Sequence, residues 1–224
     1  MNNRISLFFF VKVVSYILFI LCITNSQTYA QVTANHPFYF GIGGGYGSTT
    51  WGQLVPSQNK TSVAMSMSTP TSVSEGGAIW NVFLGYELMP TFSVEGSYTR
   101  YPVAKVYFDE MSLFAFDHDG RTQFFTKTES TALAGKFMLI LPNTRVKPFS
   151  TVGVAGVHRY DVIRDRWRVS PMFSVGFNYN ITEHIMGEAG INYTGGYGES
   201  ELDPAEDYVP FLYSAFLRLA YRFL

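Results

Sequence analysis

The chain has 224 residues, 47% apolar and 17% aromatic, with 16 Lys+Arg against 17 Asp+Glu and a formal charge of -1 at pH 7. So neutral a chain lacks the basic footprint of a nucleic-acid binder, and so apolar a chain is not a disordered tail. Charged residues make up 15%, well below the roughly 25% of an average soluble domain, which implies a large surface turned away from water.

Residues 1–30 read as a secretory signal. Arg4 lies in a short polar start, an apolar stretch runs from Ile5 to Ile23 broken by Lys12, and Thr28-Tyr29-Ala30 places small residues where a signal peptidase reads. Cleavage after Ala30 is expected, with an uncleaved anchor as the alternative. The single cysteine, Cys22, lies in this segment and follows Leu21 rather than the small residue that lipidation requires. Residues 31–224 then form one domain without cysteine. Burial and backbone pairing, rather than disulfides, must hold it together.

No later segment approaches the roughly 18 uninterrupted apolar residues of a spanning helix. Alternation with period two recurs instead in eight runs, 38–50, 77–88, 91–102, 129–141, 147–160, 168–181, 185–197 and 209–223. Each suits a tilted strand crossing a bilayer. One face of these runs carries Phe38, Phe40, Ile42 and Tyr46, then Trp80, Val82, Leu84 and Tyr86. It continues with Leu133 and Phe137, Val152 and Val154, Phe173, Val175 and Phe177, Ile191, and Leu217, Leu219, Tyr221 and Phe223, without a charge. The opposite face is small or polar, with Gly41, Gly43, Gly45, Asn81, Gly85, Ser93, Gly153, Ser174, Asn178, Asn192 and Ser214 among its members. In water the aromatic set would have to point inward from every strand, and eight strands enclose too narrow a space for it. The pattern therefore predicts an all-β fold: an eight-stranded antiparallel up-and-down transmembrane β-barrel, polar inside and aromatic outside.

The connections agree. Met89-Pro90, Pro142 to Val146 and Thr182 to His184 are short, whereas Trp51 to Gly76, Pro102 to Thr128 and Gly198 to Tyr208 are long, with Asp161 to Trp167 intermediate. Short turns facing the periplasm and long loops facing outward are the expected arrangement. Tyr46, Tyr86, Tyr160, Tyr179, Tyr193 and Tyr221 stand near strand ends, where phenol rings form interfacial girdles.

Three segments resemble the small outer-membrane barrels of the OmpA-like and opacity-type families of Gram-negative bacteria. They are Phe38-Tyr39-Phe40-Gly41-Ile42-Gly43-Gly44-Gly45-Tyr46, Leu84-Gly85-Tyr86-Glu87-Leu88-Met89-Pro90 and Leu217-Arg218-Leu219-Ala220-Tyr221-Arg222-Phe223. The resemblance implies an outer-membrane location, contact with outer-membrane lipid and lipopolysaccharide, and passage through periplasmic chaperones and the barrel-assembly machinery. Tyr221 and Phe223 would form the terminal assembly signal, and surface loops would meet host molecules.

Six charges fall on the inner face, Glu87, Glu95 and Glu188 against Lys136, Arg218 and Arg222, and they sum to zero. A lumen charge is costly unless paired, so interlocked pairs drawn chiefly from Glu95, Lys136, Glu188 and Arg218 are expected. They would act as a structural plug or, alternatively, as a gate for small ions. The glycines at 41, 43, 44 and 45 lack phosphate-cradle spacing, because Tyr46 stands where the last glycine is required. Asp117-His118-Asp119 reads as a solvated loop tip rather than a metal site. His158, Arg159, Arg164, Arg166 and Arg168 cluster near the outer rim, where guanidinium groups suit lipopolysaccharide phosphate. No local Ser, His and acid pairing marks a lipid-A-modifying enzyme. No catalytic residue, metal or cofactor is assigned, and the expected role is structural or surface-interactive, with a small gated pore as the main alternative.

Overall fold

The computed structural model describes residues 38–55, 69–142, 144–197 and 208–223. The expected signal segment and its cleavage site lie outside these residues. Ten strands follow in chain order: β1 (Phe38–Ser48), β2 (Ser72–Ser74), β3 (Gly77–Met89), β4 (Phe92–Arg100), β5 (Ala104–Tyr107), β6 (Gln123–Met138), β7 (Val146–Tyr160), β8 (Asp165–Asn180), β9 (Ile185–Thr194) and β10 (Leu212–Phe223). Eight of them form an antiparallel ring in the order β1, β3, β4, β6, β7, β8, β9, β10. The ring closes where β10 meets β1, in register from Phe38↔Phe223 to Ser48↔Tyr213. Closure gives each of the eight ring strands a neighbour on both sides, which a bilayer demands because no water is present there to bond an open edge.

All eight expected runs are strands of this ring, with the expected facing. In β10, Leu217 is 69% exposed while its neighbour Phe216 is 5% exposed, so alternation separates the two faces one residue at a time. The six girdle tyrosines all stand on the outer surface.

Two strands run further than the alternation suggests. β6 starts at Gln123 rather than near 129, and β8 at Asp165 rather than near 168. The extra turn of β6 pairs with β5, Ala104↔Thr126 to Tyr107↔Gln123, and β5 pairs in turn with β2. Backbone pairing outside the bilayer needs no lipid-facing alternation, so its residues give a weaker signal. The same region holds a one-turn helix, α1 (Leu113–Asp117), and a 3-10 turn at Trp51–Leu54.

The expectation of a wholly small or polar interior is corrected. Tyr39, Phe83, Phe149 and Phe216 are buried on the inner face. Glycines opposite them make the room: a Cβ on Gly41 would stand 2.5 Å from Cζ of Phe83, and one on Gly176 or Gly190 would stand 2.8 Å from Cζ of Phe149 or Phe216. A Cβ on Gly85 would run into the Tyr39 ring. Gly41, Gly85, Gly176 and Gly190 are therefore seats for rings that fill part of the lumen.

Candidate functional site

The lumen charges form two groups. β9 and β10 place Glu188 directly opposite Arg218, while β4 and β6 place Glu95 two residues off register from Lys136, since Ser93 pairs with Lys136 and Glu95 with Ala134. The side chains then cross the lumen. Lys136 Nζ donates to Glu188 Oε1 and lies 3.5 Å from Glu95 Oε2. Arg218 Nη1 donates to Glu95 Oε1 at 2.6 Å and lies 3.7 Å from Glu188 Oε2. Each carboxylate thus touches both cations, and the quartet is neutral.

Its surroundings strengthen it. Tyr39 Oη donates to Glu95 at 3.2 Å, and Asn178 Nδ2 lies 3.5 Å from Glu188 Oε1. Lys136 Nζ stands 4.5 Å from the centre of the Phe149 ring, and the Arg218 guanidinium lies 4.2 Å from Phe216 and 4.7 Å from Phe83. The interior rings seat the cations by their π faces, and burial of the charges strengthens each ion pair between them. The remaining expected pair lies apart from the quartet, and half-buried Lys147, opposite the inward Asn178, adds a cation to the inner face, so the expected zero sum is corrected. Arg222 contacts Glu87 at 3.1 Å and donates to Asn180 at 2.9 Å, near the short-turn end.

A second closure lies at the long-loop end. Trp51, just past β1, packs edge-on against Phe124 of β6 at 5.8 Å and against Tyr208, ahead of β10, at 5.0 Å. Leu54, Val106, Phe108 and Phe114 complete a buried apolar cluster. The Arg159 guanidinium from β7 lies 4.6 Å from the Trp51 ring. β1 and β7 stand on opposite sides of the ring, so the contact spans the mouth. Sequence reading missed this cap, because its members come from four separate segments with no periodic signal of their own.

The expected basic rim is split. Arg159 is corrected outright: it points inward and is 2% exposed. It donates to Asp161 at 2.6 Å and to the Tyr208 carbonyl at 2.7 Å, so it holds the cap rather than facing lipid phosphate. Its parity with Ala155 and Gly153 was the available signal. His158 faces outward, stacked on Trp167 at 4.6 Å and bonded to Asp165 at 2.7 Å. Arg164 is half-buried, and Arg166 and Arg168 are exposed. Asp117 and Asp119 flank His118, whose ring stacks on Phe114 at 4.3 Å and bonds the Phe114 carbonyl at 2.9 Å. Tyr221 and Phe223 share the outer face at the end of β10, edge to face at 5.2 Å.

Comparison with known proteins fits this geometry. Residues 17–223 match the family described as outer membrane protein beta-barrel domain. Neisserial surface protein A is similar in structure at a TM-score of 0.51 and 14% identity, covering 83% of this chain and 97% of that one. The outer membrane protein OprG from Pseudomonas aeruginosa gives 0.51 at 13% identity, covering 84% of this chain and 97% of that one. No curated protein matches the sequence. The chain belongs to the outer-membrane β-barrel family, and it is an integral protein of the outer membrane.

Proposed function

We infer that this protein is a sealed, non-catalytic barrel whose work is done at its outer surface. The observation that carries the reading is the double closure: a neutral quartet of Glu95, Lys136, Glu188 and Arg218 in the lumen, and the Trp51–Arg159 cap across the mouth. The quartet acts as a structural plug because each of its charges is held by two opposite ones. Opening a path for ions would require several of these buried contacts to break together. Within this reading Tyr221 and Phe223 end the last strand as the mark read by the assembly machinery, and Arg166 and Arg168 are the members of the rim cluster still turned to solvent.

Planar-bilayer recording tests the plug. The wild type is expected to give no steady conductance, and Lys136→Met or Glu188→Gln, which unbalance the quartet, are expected to introduce one. Conductance in the wild type that these changes abolish would favour a gated pore instead. Expression that shifts the mass of lipid A would favour an enzyme and end the non-catalytic reading.

A further inference from the structure

The inner face carries one charge that the rest of the fold does not answer. Between the mouth cap and the short turns its cations are Lys136, Lys147, Arg218 and Arg222, and its carboxylates are Glu87, Glu95 and Glu188, so one positive charge is left over among the described residues. The quartet takes two of each sign, and Arg222 takes Glu87 through both Nε, at 3.2 Å, and Nη2, at 3.1 Å. Lys147 is the surplus. It stands at the second position of β7, half-buried, and its ammonium makes no hydrogen bond or ion pair with any described residue.

Its surroundings are polar and cationic. Register sets Lys147 against Asn178, which is wholly buried, and Asn180 is the next inward residue of β8 towards the short turns. Arg222 reaches past β9 to donate from Nη1 to Asn180 Oδ1 at 2.9 Å, so the Nδ2 end of that amide is the one left to donate. The charges that act on the Lys147 ammonium are Arg222 and Glu87, and repulsion by Arg222 outweighs attraction by Glu87, which Arg222 already holds. On the side of the quartet, the next inward residue of β7 is Phe149, whose ring is taken by Lys136. A half-buried cation that has another cation for a neighbour, and no carboxylate of its own, is relieved by a counter-ion.

We propose that the short-turn end of the lumen binds one small monovalent anion of the halide class, chloride in a salt solution, held by the Lys147 ammonium and the Asn180 amide. The class follows from charge and from the groups on offer. One positive charge is in excess, so a monoanion brings the inner face to neutrality, whereas a dianion would carry it past. An ammonium and an amide NH2 present donors, and a halide asks for nothing else. The site goes beyond the sealed-barrel reading, since the quartet and the cap are complete without it.

The test is a urea titration of the full chain in phosphatidylcholine vesicles, with chloride exchanged for the bulky monoanion gluconate at constant ionic strength so that general screening is unchanged. For a site with a dissociation constant of about 30 mM, raising chloride from about 10 mM to about 300 mM should multiply the folding equilibrium constant of the wild type about eightfold, with a slope approaching one anion per molecule. Lys147→Met should be at least as stable as the wild type in gluconate, because it deletes an uncompensated charge, and should not respond to chloride. Lys105→Met, which removes an exposed lysine, should keep the wild-type response. Heat-modifiable gel mobility checks that each variant forms a barrel. As a second measurement, crystals soaked in bromide should show an anomalous peak beside Lys147 Nζ and Asn180 Nδ2. A wild type whose stability ignores chloride, or a Lys147→Met variant that responds as the wild type does, would overturn the proposal. So would a loss of stability by Lys147→Met in gluconate, since the lysine would then have a partner within the fold, or bromide found only elsewhere.

Discussion

Replacing Lys136 by Met removes one charge from the lumen and keeps nearly the same chain length. Lys136 is 1% exposed and the side chain of Glu188 is wholly buried, so neither ion has recourse to solvent. After the change Glu95 keeps Arg218 at 2.6 Å, but Glu188 keeps it only at 3.7 Å, along with the Asn178 amide at 3.5 Å. One carboxylate is left under-compensated in a medium that solvates it poorly, and removing one partner of a buried pair costs about 3–5 kcal/mol. Adding Glu188→Gln removes the stranded charge, so the double variant should recover much of the loss and show a coupling of about 2–3 kcal/mol. Urea titration of the protein in lipid vesicles, followed by tryptophan fluorescence, measures each corner of the cycle. A loss below about 0.5 kcal/mol for Lys136→Met, or a double variant that is simply additive, would refute the account of the quartet as an interlocked unit.

Three further outcomes test other parts of the structure. Leu217→Arg puts a cation on the lipid-facing side of β10 and should cost about 2–4 kcal/mol if the site lies near the bilayer midplane; a variant as stable as the wild type would reverse the facing of the wall. Gly85→Ala drives a methyl group into the Tyr39 ring and should cost about 1–3 kcal/mol, whereas Gly96→Ala, whose nearest neighbour is an oxygen at 4.0 Å, should stay within about 0.5 kcal/mol in the same titration. Trp51→Ala removes the centre of the cap, a loss of about 3–5 kcal/mol felt locally, so limited proteolysis should cut the β5–β6 loop faster while the barrel keeps its gel mobility.

The ring of strands was legible because a bilayer forces a simple code. Each lipid-facing position must be apolar and the next must fit the lumen, so Leu217 beside Arg218, or Ile191 beside Asn192, discloses its side at once. The code weakens for residues acceptable to both environments. Phe83, Phe149 and Phe216 are apolar enough for lipid yet sit inside, and only the ring that opposes each to Gly41, Gly176 or Gly190 reveals that the lumen has space for them. Arg159 had the right parity for the interior, but its place in a run of rim cations suggested a surface role, and the contact with Trp51 that resolves the matter depends on closure.

What the sequence determined by itself was the repeating, local part: strand after strand, two faces, and short turns on one side. Those properties follow from each residue's own solvent preference and need no knowledge of its partners. Which charge meets which, and what covers the mouth, was decided only when the ring closed, since Lys136 and Glu188 lie on strands that never pair, and Trp51, in the turn past β1, meets Arg159 of β7 across the mouth. Contacts across a lumen are set by barrel radius and register, and these belong to the assembled wall as a whole.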